Sequence, residues 1–65
     1  MPDFEAIGQA IRDARRRAGI TQKDAADLSG VAERTVRAIE SGVGNPSLGS
    51  VIAVANTVGL HVKAL

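Results

Sequence analysis

The run Thr21-Gln22-Lys23-Asp24-Ala25-Ala26-Asp27-Leu28-Ser29-Gly30-Val31-Ala32-Glu33-Arg34-Thr35-Val36-Arg37-Ala38-Ile39-Glu40-Ser41-Gly42 decides the fold. It reads as two short helices joined by a tight turn at Ser29-Gly30-Val31. The first helix opens on Thr21, whose hydroxyl can cap free backbone amides. Asp24, three residues later, completes a reciprocal capping pair. Small Ala25 and Ala26 let the second helix cross closely, with Leu28, Val31, Val36 and Ile39 as the apolar contacts between the two. Arg34 and Arg37 then project from the second helix.

Outward from this run, glycines punctuate the chain. Gly19, Gly30, Gly42 and Gly59 each follow an apolar-periodic segment, where a left-handed residue commonly closes a helix. A helix over about Asp3 to Ala18 places Phe4, Ile7, Ile11, Ala14 and Ala18 on one face. The next two helices run from about Thr21 to Ser29 and from about Ala32 to Ser41. A fourth starts near Asn45-Pro46-Ser47, with Asn45 or Ser47 as cap and Pro46 in its first turn. It is expected to carry Leu48, Val51, Ile52, Ala55 and Val58 inward. The fold class expected is all-α, a compact bundle of four helices within one domain spanning residues 1–65, plus a short carboxy-terminal strand.

The strand expectation comes from Leu60-His61-Val62-Lys63-Ala64-Leu65, which alternates with period two. A lone strand cannot satisfy its own backbone groups, and no second strand candidate exists in the chain. Its partner would be the same tail in a second copy. Val54 points the same way, as apolar surface on a helix whose inner face is already filled. Leu60, Val62, Ala64 and Val54 are therefore the candidate dimerisation residues. The other reading of the tail is a frayed terminus.

Gly19-Ile20-Thr21-Gln22, the Gly30-Val31 turn, Thr35-Val36, Ile39-Glu40-Ser41-Gly42 and Asn45-Pro46-Ser47 occur in order over roughly Phe4 to Leu60. In this ordered set the chain resembles the phage Cro and repressor type of helix-turn-helix domain (Xre-like), in its antitoxin-like branch that ends in a strand. The resemblance implies that the third helix enters the major groove of DNA. Glu33, Arg34, Arg37 and Ala38 then take the base-reading positions. Arginine can pair bidentately with guanine, glutamate can accept from cytosine, and alanine can touch a thymine methyl. Glu33 has a second reading, as favourable charge at a helix start.

The resemblance also makes Gln22 a phosphate donor at the start of the second helix. Lys23, Arg12, Arg16, Arg17 and Asn45 are expected to support it. The loop Gly42-Val43-Gly44-Asn45 carries no basic residue, where family members often place one. Arg15 and Glu40 lean onto apolar faces of the first and third helices. Two such opposite charges are expected to pair, because either alone is costly to desolvate. The family has this pairing at the matching positions.

Composition bounds the alternatives. The net charge is +1, but between Arg12 and Arg37 seven basic residues face four acidic ones. Charge alone favours a solvated helix surface; the motif reverses that order. With no cysteine there is neither a disulfide framework nor a cysteine-held metal. His61 has no second ligand spaced to it, so no metal, no cofactor and no enzyme are expected. The amino terminus lacks a signal-peptide pattern and no apolar run approaches a bilayer span, so a cytoplasmic protein without membrane contact is expected.

The functional expectation is a sequence-specific DNA-binding regulator, a repressor acting as a homodimer on a palindromic operator of double-stranded DNA. The alternative is an antitoxin-type module that holds a toxin partner and binds DNA for autoregulation.

Overall fold

In the computed structural model, which describes residues 2–61, helix boundaries follow local chemistry. Four helices run in chain order: α1 (Pro2–Ala18), α2 (Gln22–Ser29), α3 (Glu33–Ser41) and α4 (Leu48–Thr57). At the start of α2, the Asp24 amide donates to the Thr21 hydroxyl at 3.0 Å, and the Thr21 amide donates to the Asp24 carboxylate at 2.9 Å. The expected capping box is therefore formed. At α4 the cap is Ser47, whose hydroxyl accepts from the Ser50 amide at 3.0 Å. Pro46 lies just before the helix and not in its first turn. The α3 start differs: Ala32 has no side chain able to cap it.

All four expected helix-closing glycines have positive φ, between 69° and 86°. At Gly30, φ is 75° and its amide donates back to the Ala26 carbonyl at 2.9 Å, turning the chain between α2 and α3. An L side chain is strained there, whereas glycine is not.

Helix α3 packs against α1, α2 and α4, so it is central to the bundle. Its inward residues Val36 and Ile39 are fully buried with Ile11 and Ala14 from α1, Ala25 and Ala26 from α2, and Val51, Val54, Ala55 and Val58 from α4. Ile20, Val31 and Leu60 close the edges of this core. The close approach of α1 to α3 depends on Gly8. A Cβ there would stand 2.1 Å from the Ile39 carbonyl oxygen, inside any tolerable contact.

Three apolar assignments need correction. Val54, expected to face a second copy, is 0% exposed within its own domain. The inward stripe of α4 is Val51, Val54, Ala55 and Val58, an i, i+3, i+4, i+7 set. Leu48, expected to point inward, is 68% exposed at the first position of α4. Leu28, expected between α2 and α3, is 70% exposed. The burial of Ala25 and Ala26 sets the inward face of α2, and Leu28 falls well off it. Val31, beyond the turn, packs against the core instead.

Among the described residues there is no strand. The Leu60 amide donates to the Ala55 carbonyl at 2.9 Å, and its side chain packs against the domain's own core. Val62 and Ala64, with the rest of the expected strand beyond His61, lie outside the described residues.

Candidate nucleic-acid interface

The outward face of α3 is held by what lies beneath it. Glu40, on the inner side of α3, is buried, its side chain only 2% exposed. Its Oε2 accepts from Nε of Arg15 at 2.6 Å, and its Oε1 accepts from the second arginine terminus at 3.0 Å. The remaining terminal nitrogen of Arg15 donates to the Ile20 carbonyl at 2.9 Å. The expected pair is thus bidentate and also pins the α1–α2 connection. The bond to Glu40 holds the Arg15 guanidinium pKa above its ordinary value, against the opposing effect of burial. Among the described residues, no buried side-chain nitrogen or oxygen lacks a partner.

On the opposite face of α3, Arg34 and Arg37 are exposed, while Glu33 and Ala38 are partly covered. Arg37 pairs with Glu33 one turn earlier, at 3.1 Å. Such an exposed i, i+4 pair adds little stability, about 0.3–0.5 kcal/mol. It does bring two of the expected base-reading side chains together. Arg34 makes no ion pair among the described residues. It shares a shallow hollow with Thr35, Ala38, Asn45 and Pro46, so the loop after α3 delivers Asn45 to the same face.

The start of α3 complements this arrangement. Its first amides have no side-chain cap, and Glu33 sits in the first turn, where negative charge offsets the helix dipole. Both readings of Glu33 therefore remain compatible with its position.

At the start of α2, Gln22 is half-buried and its side-chain amide donates to Oε1 of Glu40 at 3.2 Å. Lys23 is exposed and bonds Asp27 at 3.0 Å, which raises its pKa above the ordinary lysine value. Lys23 and Glu33 line a common hollow across the Gly30 turn. Arg16 and Arg17 stand exposed in the last turn of α1, and Arg12 is partly covered one turn earlier. No side-chain hydrogen bond ties these three arginines to α2 or α3 among the described residues. The structure thus gathers Gln22, Lys23, Glu33, Arg34, Arg37, Ala38 and Asn45 on or beside the α2–α3 unit, and leaves Arg12, Arg16 and Arg17 on α1.

Sequence reading missed the Gln22–Glu40 bond, because residues 18 apart carry no periodic signal of contact. The Glu33–Arg37 pair had a readable signal, opposite charges one helical turn apart.

The described residues contain no group of three His, Asp or Glu side chains able to hold a metal ion. No helix is long and apolar enough to cross a membrane. A search of curated proteins gave no match. A helix-turn-helix family model, HTH_3, matches residues 11–65, most of the chain and all of the α2–α3 unit. With that match laid over this geometry, the chain belongs to the Cro/repressor-type (Xre-like) helix-turn-helix family of DNA-binding transcription regulators.

Proposed function

We propose that the chain is a sequence-specific repressor that binds a palindromic operator as a homodimer. The observation that carries this reading is the outer face of α3, where Arg34, the Glu33–Arg37 pair and Ala38 stand together beside Asn45. Arg34 and Arg37 read base edges, Glu33 and Ala38 add discrimination, and Gln22 donates to a phosphate at the start of α2. Lys23, Asn45, Arg12, Arg16 and Arg17 contribute further backbone contacts. A small domain reads too few bases alone for high specificity, which favours two copies on one face of the duplex. The tail beyond His61, with Val62 and Ala64, is the proposed pairing element.

Selection from a pool of random duplexes tests this directly. The expected product is an imperfect palindrome with half-site centres about 10 bp apart, or a larger near-integral number of turns. Arg34→Ala and Arg37→Ala should each cost about 1–3 kcal/mol and relax preference at defined positions. Uniform losses across all sequences from both variants would remove α3 as the reading element. Enrichment of a single asymmetric site would remove the homodimer.

A further inference from the structure

Glu40 has more partners than its burial requires. The two bonds from Arg15 already compensate the buried carboxylate, one on each oxygen. The third, from the side chain of Gln22 at 3.2 Å, is additional. Gln22 is neutral, stands at the first position of α2 and is only half-buried, so water could satisfy it. The carboxylate does not need the glutamine, and the glutamine does not need the carboxylate.

The bond does have a directional consequence. A carboxamide has a donor end and an acceptor end, exchanged by a half-turn about its last side-chain bond. An ionised carboxylate only accepts, so Glu40 selects the donor end. The reverse orientation would set the Gln22 carbonyl oxygen against a negative charge. One N–H is thereby spent inward, the second is left for another acceptor, and the rotamer that makes the bond is favoured. Fixing a glutamine side chain at the moment of binding would otherwise oppose association, because its rotamer freedom is large. The first amides of α2 lie beside it at the positive end of the helix, which favours an anionic partner.

We propose that Glu40 is a positioning residue for the phosphate contact of Gln22: a buried carboxylate, itself clamped by Arg15, fixes the rotamer and amide sense of Gln22 before DNA arrives. The inference rests on the proposed phosphate contact of Gln22. It assigns the Arg15–Glu40 pair a second task besides holding the fold. The same carboxylate belongs to α3, so the phosphate grip on α2 is registered to the helix whose outer face carries Arg34 and Arg37. A shift of α3 against α2 would misplace both contacts together.

The test compares Gln22→Ala, Glu40→Gln and the double variant for affinity toward a short mixed-sequence duplex at low salt, with melting curves to score the folded fraction. In Glu40→Gln, the single amide oxygen keeps Nε of Arg15, and the NH2 group in place of Oε1 meets both Gln22 and the Arg15 terminus, donor against donor. Each single variant should bind about five- to tenfold more weakly, and the double variant no more weakly than Gln22→Ala. An equal loss from Glu40→Gln with and without Gln22 would mean that Glu40 acts through the fold alone, and would overturn the proposal. Wild-type affinity in Gln22→Ala would remove the phosphate contact and the positioning role with it. If Glu40→Gln does not fold, the wild-type protein still decides by NMR. The side-chain amide of Gln22 should show restricted motion in the absence of DNA, and motion as free as that of the exposed Asn56 amide overturns the proposal.

Discussion

The junction around Glu40 and the groove between α1 and α4 belong to one small domain but are built on different terms. At the junction, Arg15 from α1, Gln22 from α2 and Glu40 from α3 are joined by directional bonds of 2.6–3.2 Å. In the groove, Phe4, Ile7, Leu48 and Val51 line an apolar space of about 510 Å³. Ile7 is left 38% exposed and Leu48 68% exposed. Directional bonds permit one arrangement of three helices, whereas loosely covered apolar side chains permit several at similar energy. The helix expected to read DNA is therefore oriented by the polar junction together with its fully buried Val36 and Ile39, and the groove contributes little to that orientation.

The sharpest way to break this contrast is Arg15→Ala. It strands a buried carboxylate, and should cost about 3–5 kcal/mol in urea-induced unfolding. An unchanged unfolding midpoint would show that the junction does not hold α3, and the two regions would then be alike.

Thr21→Ala probes the edge of the junction, where the capping box starts α2 beside Gln22. A loss of about 1 kcal/mol is expected. The box also has a pH signature. The Thr21 backbone amide, and then its hydroxyl, hold the Asp24 carboxyl below its ordinary value of 3.8. A depressed folded-state pKa contributes stability that is fully present above the unfolded-state value and is lost as pH falls through the folded-state value. Acid titration of stability should show this loss in the wild type, and an Asp24→Asn variant should lack that component.

Leu48→Gln sharpens the comparison from the other side. With the side chain mostly in solvent, the change should stay within about 0.5 kcal/mol of wild type in the same unfolding experiment. A loss comparable to that of Arg15→Ala would mean that the groove is packed tightly enough to orient the helices.

Much of the fold was legible because its signals are local. Thr21 and Asp24 announce the start of α2 at a spacing of three, and Gly30 and Gly42 announce helix ends through a conformation that other residues resist. The pairing of Arg15 with Glu40 was legible too, since a charge on an apolar stripe demands an opposite partner. The errors fell where one helix offers more apolar residues than its inner face can take. In α4, Leu48 and Val54 compete for the inward direction, and hydropathy does not rank them. Burial in the core shared by all four helices decides for Val54, at about 1.5–3 kcal/mol for complete burial of such a side chain. With Val54 withdrawn into its own core, one argument for pairing through the tail falls away, and Leu60 is partly drawn in after it.

The sequence by itself determined the four helices and the start of α2, the glycine turns, the helix-turn-helix unit and the outward placement of Arg34 and Arg37. Each of these follows from interactions within a few residues or from a single helical period. Only the tertiary structure decided that Gly8 must lack a side chain, that Val54 faces inward and that Gln22 is tied to Glu40. Those facts depend on how closely separate helices approach and at what rotation, which is set by the joint packing of all four. A distance of 3.2 Å between residues 22 and 40 is a property of that packing, and no local pattern encodes it.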